Sequence, residues 1–188
     1  MSLPPVIEFS TTSKFTRVWW DKGSGATMDG AFYRPIPREG FFILGDYGQG
    51  NYLEPTGTVL TIRVVDNDDP KNPALVAPED YRLIYKDKGS GADEDGSFWA
   101  PVPPFGYVAC GHVIQRGYDK PYIPNYRCLR HDLAAAVGLG GLIWDDRGSG
   151  ADMNVSIYRV NQLNVFYAIP SFSPPTEGTF VPSVLVTP

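Results

Sequence analysis

The chain alternates short apolar runs with turns rich in glycine and proline, and one stretch alone invites a helical reading. Arg17-Val-Trp-Trp-Asp21, Ala31-Phe-Tyr-Arg34, Gly40–Gly45 and Thr58–Val65 read as four strands. The last is β-branched and apolar, as buried strands are. Residues 4–16 read as an entry segment with one edge strand. Pro35-Ile-Pro37 closes the return strand, because proline cannot donate to a central ladder. Asp66–Pro73 is turn chemistry and marks a boundary. Tyr81–Asp87, Ser97–Ala100 and Gly106–Gly111 then repeat the series, followed by Leu142–Asp145, Phe166–Ile169 and a closing strand in Phe180–Val186. Leu129–Val137, ended by Gly138, is the helix candidate.

The series repeats because the sequence does. Asp21-Lys-Gly-Ser-Gly-Ala-Thr-Met-Asp-Gly30 returns as Asp87-Lys-Gly-Ser-Gly-Ala-Asp-Glu-Asp-Gly96 and as Asp146-Arg-Gly-Ser-Gly-Ala-Asp-Met-Asn-Val155. Arg17–Gly45 lies without a gap over Leu83–Gly111 and over Leu142–Pro170. Across Asp21–Gly45 the first two copies share 13 of 25 residues, which sets the architecture. Residues 1–188 are expected to form one domain of three repeats, about 17–65, 82–128 and 142–170.

Superposing the copies sorts the side chains by face. Trp19, Tyr85 and Trp144 form an aromatic column expected to face the core. Trp20 is replaced by Lys86 and Asp145, so its position tolerates water and Trp20 is a candidate exposed aromatic. The return strands carry Phe32, Phe98 and Ile157 on one face and Tyr33, Trp99 and Tyr158 on the other, so both faces are covered. Phe41, Tyr107 and Phe166 open the third strands. Three sheets, each presenting aromatics inward, make an all-β, β-prism-like fold with threefold internal pseudo-symmetry. A β-trefoil is the second choice. Its repeats are usually shorter than the 66 and 59 residues that separate Lys22, Lys88 and Arg147.

Composition narrows the function. The net charge is −5 and no basic tract exists, which argues against nucleic acid. No apolar run approaches the ~20 residues of a membrane-spanning helix, and Met1–Pro5 lacks the features of a secretory signal. A cytosolic or peripheral-membrane location is expected. Cys110 and Cys128 are expected to be two buried thiols, with a disulfide between them as the alternative. His112 and His131, the two histidines, sit in no nucleophile, metal or phosphate motif. His112 aligns with Asp46 and reads as a surface or internally satisfied residue. No enzyme is expected.

Trp20-Asp-Lys-Gly-Ser-Gly-Ala26, Gly30-Ala-Phe-Tyr-Arg-Pro-Ile-Pro37, Gly40-Phe-Phe-Ile-Leu-Gly-Asp-Tyr47 and Tyr126-Arg-Cys-Leu-Arg-His-Asp-Leu133 resemble the Vps62 family, named after a vacuolar protein sorting factor. The resemblance runs from about Val18 to Tyr167. The loop-plus-strand unit is also similar, more distantly, to the MVB12-associated β-prism domain, which carries three Gly-rich loops and binds membrane surfaces. Related prisms cap some pore-forming toxins. The resemblance implies a β-prism and a module for sorting or targeting. The third copy departs from the pattern at Asn154, Val155 and Val160.

The nine-residue loops exceed what a plain hairpin needs. Their glycines free backbone N–H groups to hold an anion or a hydroxyl oxygen. The candidate ligand residues are Lys22, Gly23, Ser24, Gly25 and Asp29, with Lys88, Gly89, Ser90, Gly91 and Asp95, then Arg147, Gly148, Ser149 and Gly150, and Trp20. Donors and acceptors together suit lipid head groups at a membrane surface, or glycans in a lectin. A structural or targeting module without a small ligand is a third class. No cofactor is expected. A calcium site would draw on Asp21 and Asp29, or on Asp87, Asp93 and Asp95, but the spacing matches no EF-hand.

Overall fold

The computed structural model describes residues 3–186, so Met1 and Ser2 of the opening segment lie outside the described residues. Repeat one comprises β1 (Val6–Thr12), β2 (Phe15–Trp20), β3 (Ala31–Pro35), β4 (Tyr47–Gln49) and β5 (Val59–Asp66). Repeat two comprises β6 (Leu75–Val76), β7 (Asp80–Lys86), β8 (Gly96–Val102), β9 (Tyr107–Val108), β10 (Val113–Arg116) and β11 (Cys128–Arg130). Repeat three comprises β12 (Ala134–Val137), β13 (Leu142–Asp145), β14 (Ser156–Val160), β15 (Val165–Ile169) and β16 (Thr179–Pro182).

Each repeat builds one three-stranded antiparallel sheet, β2-β3-β4, β7-β8-β10 and β13-β14-β15, with the return strand in the middle. Smaller sheets, β1-β5, β6-β11-β9 and β12-β16, flank them. The first strand of every repeat slips register just before its loop, between Arg17 and Trp19, Leu83 and Tyr85, and Leu142 and Trp144. Such an irregularity re-aims the side chain that follows it. Trp19, Tyr85 and Trp144 are all buried in one central cluster with Phe32, Phe98, Ile157 and Phe166. The rings meet edge to face, with Phe32 and Phe98 centroids 4.8 Å apart and Trp19 and Trp144 5.8 Å apart. Three sheets around one shared core are the prism arrangement expected from the repeats.

A pseudo-threefold axis is written in the backbone. Asp46 N–H donates to His112 O, His112 N–H to Phe166 O and Phe166 N–H to Asp46 O, each at 3.0 Å. The residues just before them are Gly45, Gly111 and Val165, and a Cβ on either glycine would fall within 3 Å of the valine side chain. One side chain therefore fills a space shared by three repeats.

The same ring corrects the alignment of the third copy. Asp46 matches His112 and Phe166, so repeat three is five residues shorter between its return strand and its third strand than an ungapped alignment implies. The third strands of repeats one and two also lie later than Gly40–Gly45 and Gly106–Gly111. Phe42 and Ile43 make isolated bridges to Ile62 and Tyr126, and Tyr107–Val108 pairs with β11. Leu129–Val137 forms no α-helix, and a single 3-10 turn is all the helix it contains. It runs through the end of β11, a 3-10 turn at His131–Leu133 and β12, whose alanines pair with β16. Tertiary pairing there overrides the helical preference of alanine. Pro35 ends β3, as the sequence predicts, and Pro101 is the last residue but one of β8; both lie beyond the last residues that the third strands pair, so their missing N–H groups cost no ladder bond.

Cys110 and Cys128 are buried and unbonded. His112 is internally satisfied rather than on the surface. Its Nδ1 accepts the Ala168 N–H at 2.9 Å, and its ring stacks on Tyr167 at 3.9 Å. Burial, helped by the nearby Arg82, pushes the imidazole down to about 3. The unfolded chain protonates near 6.5, so it binds more protons than the native state between those values. Stability tied to His112 is complete above about pH 6.5 and lost as pH falls toward about 3, with about 2 kcal/mol gone by pH 5. His112→Asn keeps an acceptor where repeat one has Asp46. Urea unfolding between pH 7 and 5 should show a flatter pH slope for this variant. An unchanged slope would show that His112 does not carry the acid limb.

Candidate functional site: a face of three interlocked loops

The three loops gather at one end of the prism, and the chemistry of their first residue explains their shape. Asp21, Asp87 and Asp146 are buried. In each, Oδ1 accepts the N–H nine residues on, from Gly30, Gly96 and Val155 at 2.8–3.0 Å. Oδ2 accepts the hydroxyl of Ser24, Ser90 or Ser149 at 3.0–3.1 Å. Each serine Oγ in turn accepts the N–H of Ala26, Ala92 or Ala151 at 3.1 Å. One carboxylate thus staples both ends of its loop. Burial pushes the Asp146 carboxyl up, opposed by the donors that surround it.

The loops also hold one another. Thr27 N–H donates to Arg147 O at 2.8 Å, Asp93 N–H to Lys22 O at 2.8 Å and Asp152 N–H to Lys88 O at 3.0 Å. Loop one leans on loop three, loop three on loop two, and loop two on loop one. Gly23 and Gly89 have positive φ, and a Cβ on them would lie 2.3 and 2.9 Å from the carboxylates of Asp93 and Asp152. These glycines permit the approach of a neighbouring loop.

Core aromatics reach up into the same ring. The Trp19 indole N–H donates to Glu94 O at 2.8 Å, and the Trp144 indole donates to Met28 O at 3.2 Å and Asp21 Oδ2 at 3.3 Å. Tyr85, the third member of the column, lies against Asp146 and Ser149. Every loop is therefore closed from below by the repeat next to it.

The sequence-derived residues fall into two groups. Ser24, Ser90 and Ser149 are buried and committed to the staples. Gly23, Gly25, Gly89, Gly91, Gly148 and Gly150 all take positive φ and lie at the exposed rim. Lys88, Arg147, Asp29 and Asp95 are exposed, and Lys22 is half-buried. Trp20 is half-buried rather than freely exposed, because it packs on Tyr52 with centroids 5.7 Å apart. The Lys22 Nζ lies 4.0 Å from the Trp20 centroid, and the Arg17 guanidinium carbon lies 3.9 Å from it. Among the described residues, no three His, Cys, Asp or Glu side chains gather as a metal cluster. Both Asp21 oxygens already accept protein donors.

Sequence reasoning missed a second aromatic column beside the loops. Tyr52 O–H donates to Asp21 Oδ1 at 2.6 Å, and Tyr118 O–H to Asp87 Oδ1 at 2.8 Å. Burial and these carboxylates push both phenols up, so they stay neutral. Phe172 takes the place in repeat three, where Asn154 also replaces the aspartate of the other loops. Tyr52 and Tyr118 are 66 residues apart, as Lys22 and Lys88 are, so the signal was present beyond the aligned span. Each of these rings carries a cation. Lys22 lies at 5.1 Å over Tyr52, Lys86 at 5.8 Å over Tyr118 and Arg147 at 4.8 Å over Phe172. The outer side chains of the loops nevertheless place Lys22, Lys88 and Arg147 against Asp29, Asp93, Glu94, Asp95 and Asp152, an excess of acid.

Comparison with known proteins agrees with this architecture. The family model described as vacuolar protein sorting-associated protein 62 matches residues 5–176. Among solved structures, GNIP1Aa from Chromobacterium piscinae is similar, with 28% sequence identity and a TM-score of 0.78. The alignment covers 91% of this chain and 34% of that one, so the chain spans about a third of its neighbour's length. No curated protein matches it. With its repeats, its loop ring and a family match over nearly its whole length, this chain belongs to the Vps62 family.

Proposed function

We propose that the chain is a non-enzymatic recognition module that attaches to membrane surfaces through the loop face. One observation carries this reading: all three loops meet in a single face, with Lys88 and Arg147 at its exposed rim. A flat membrane is engaged best by tips that are fixed relative to one another, and the cyclic hydrogen bonds fix them. Family membership and the prism-like neighbour support a sorting or targeting role within a larger assembly. No helix of the described residues is long and apolar enough to cross a membrane.

Co-sedimentation with vesicles of phosphatidylcholine, with and without phosphatidylserine, tests the proposal. Replacing Lys88 and Arg147 by Ala should weaken binding to the anionic vesicles about tenfold or more, at about 1 kcal/mol per cation near the surface. The acidic side chains interspersed among the loop cations predict that raised salt weakens the wild type only modestly. A calcium requirement would point instead to a metal bridge through the exposed carboxylates. No binding to any vesicle would overturn the proposal. A lectin is the second reading, favoured by Trp20 and Tyr52 standing side by side near Asp29. A glycan screen in which Trp20→Ala abolishes a hit would support it.

A further inference from the structure

The structure assigns to Trp20 and Tyr52 a recognition site for a quaternary ammonium group, the choline head of a zwitterionic lipid, with Lys22 as its built-in occupant. This rests on the membrane reading above and deepens it. The two rings stand 5.7 Å apart at an interplanar angle of 65°, which makes a two-walled aromatic corner. The corner already holds an alkylammonium, since the Lys22 Nζ lies 4.0 Å from one ring centroid and 5.1 Å from the other. None of the ion pairs among the described residues involves Lys22. The rings, rather than a carboxylate partner, hold its charge.

The second cation on Trp20 differs in kind. Arg17 is fixed by Glu94, with Nη1 2.6 Å from Oε2, and Arg116 braces the same carboxylate at 3.2 Å. Arg17 is therefore part of the wall, and Lys22 is the exchangeable cation. Tyr52 is wall as well, because its hydroxyl is pinned on Asp21 at 2.6 Å. Asp29 and Asp21 lie close enough to influence the Tyr52 phenol, so negative charge stands on the Tyr52 side of the corner, while the Glu94-paired Arg17 lies over Trp20. The two-walled corner belongs to repeat one alone, since Lys86 and Asp145 replace Trp20 in the others.

A primary ammonium is strongly hydrated and carries three donors, and aromatic faces replace those hydrogen bonds poorly. A trimethylammonium has no donors and is weakly hydrated, so the same faces suit it better. Lys22 is only half-buried and takes part in no ion pair among the described residues, so no salt bridge has to break for it to leave the rings. A choline site also fits the charge. Zwitterionic lipid does not need a basic surface, and the loops themselves carry more acidic than basic side chains.

The test uses tetramethylammonium chloride as a soluble probe, read by the indole N–H signal of Trp20 in NMR. The signal is identified by its loss in Trp20→Phe, with the Trp19 and Trp144 signals reporting an intact core. Saturation of the Trp20 shift at up to about 100 mM probe is expected, with sodium chloride at equal strength giving none. Lys22→Ala removes the competitor and should lower the half-saturating concentration about threefold or more. Tyr52→Leu should raise it about tenfold. Phosphatidylcholine vesicles should then bind more tightly to Lys22→Ala than to wild type, the opposite of what a phosphate-binding lysine would give. A probe that shifts Trp20 while no vesicle binds keeps the corner and overturns the membrane reading. Vesicle binding with a silent Trp20 in the Lys22→Ala variant overturns the corner and leaves the membrane reading standing. Displacement by monosaccharides, with no response to tetramethylammonium, overturns it in favour of the lectin.

Discussion

Gly96→Val is expected to destabilise the protein by about 3 kcal/mol or more, although the residue lies at the end of a surface loop. A Cβ at Gly96 would lie 2.5 Å from Cγ of Trp19, a distance no real contact shows. Trp19 is 1% exposed and packed on Phe32, Phe98 and Trp144, so the ring cannot retreat. Gly30 meets Trp144 in the same way at 2.7 Å. Repeat three shows the natural solution. It carries Val155, and the aromatic that reaches its loop is the smaller Tyr85. Trp19→Tyr should therefore relieve Gly96→Val, with a coupling of at least about 1 kcal/mol in a double-mutant cycle read by urea unfolding. Strict additivity would show that the glycine answers to something other than the ring. The cycle also gives Val155 a physical reason: it marks a change of partner, not a decayed loop.

Asp21→Ala should cost about 3 kcal/mol, because one buried carboxylate serves four donors. The Gly30 N–H, the Tyr52 hydroxyl, the Ser24 hydroxyl and the Trp144 indole all point at it. The indole has a second acceptor at Met28 O, and the Asp29 carboxylate lies beside the Tyr52 hydroxyl, which leaves the Gly30 N–H and the Ser24 hydroxyl without a replacement. Asp21→Asn keeps one acceptor oxygen and should cost about half as much. Hydrogen exchange at the Gly30 amide gives a local readout, which should lose protection in both variants. A loss below about 1 kcal/mol for the alanine variant would mean that water replaces the carboxylate without penalty.

The sequence made the loops legible and hid their use. Repetition of Asp-Lys-Gly-Ser-Gly-Ala exposed the threefold plan, and the column Trp19, Tyr85, Trp144 announced the core. The same string offered Ser24 as a donor to a ligand, because a sequence lists hydroxyls without their directions. In the fold that hydroxyl is spent on Asp21. Trp20 was visible as an aromatic in a column of charges. Its partner Tyr52 was not, since it arrives from beyond the aligned span. The helix over Leu129–Val137 failed for a related reason. Three alanines satisfy helical preference, but the strand that claims them, β16, comes from the far end of the chain. The five-residue contraction of repeat three was equally silent, because apolar residues fall on both sides of it.

The ring of loops has one more consequence. Each loop uses one edge to lean on the next and a different edge to receive the previous one, which makes the contact heterologous, and three such contacts close. Three separate copies of a single repeat could associate by the same contact as a C3 homotrimer. Fusion into one chain then frees the positions from being identical. Gly45 and Gly111 beside Val165 could not exist in such a trimer, where three glycines would leave a hole and three valines would collide. The same freedom let Trp20 and Tyr52 become a pair in one repeat while the other two diverged. The covalent linkage is what allows a symmetric scaffold to carry an asymmetric pair of rings.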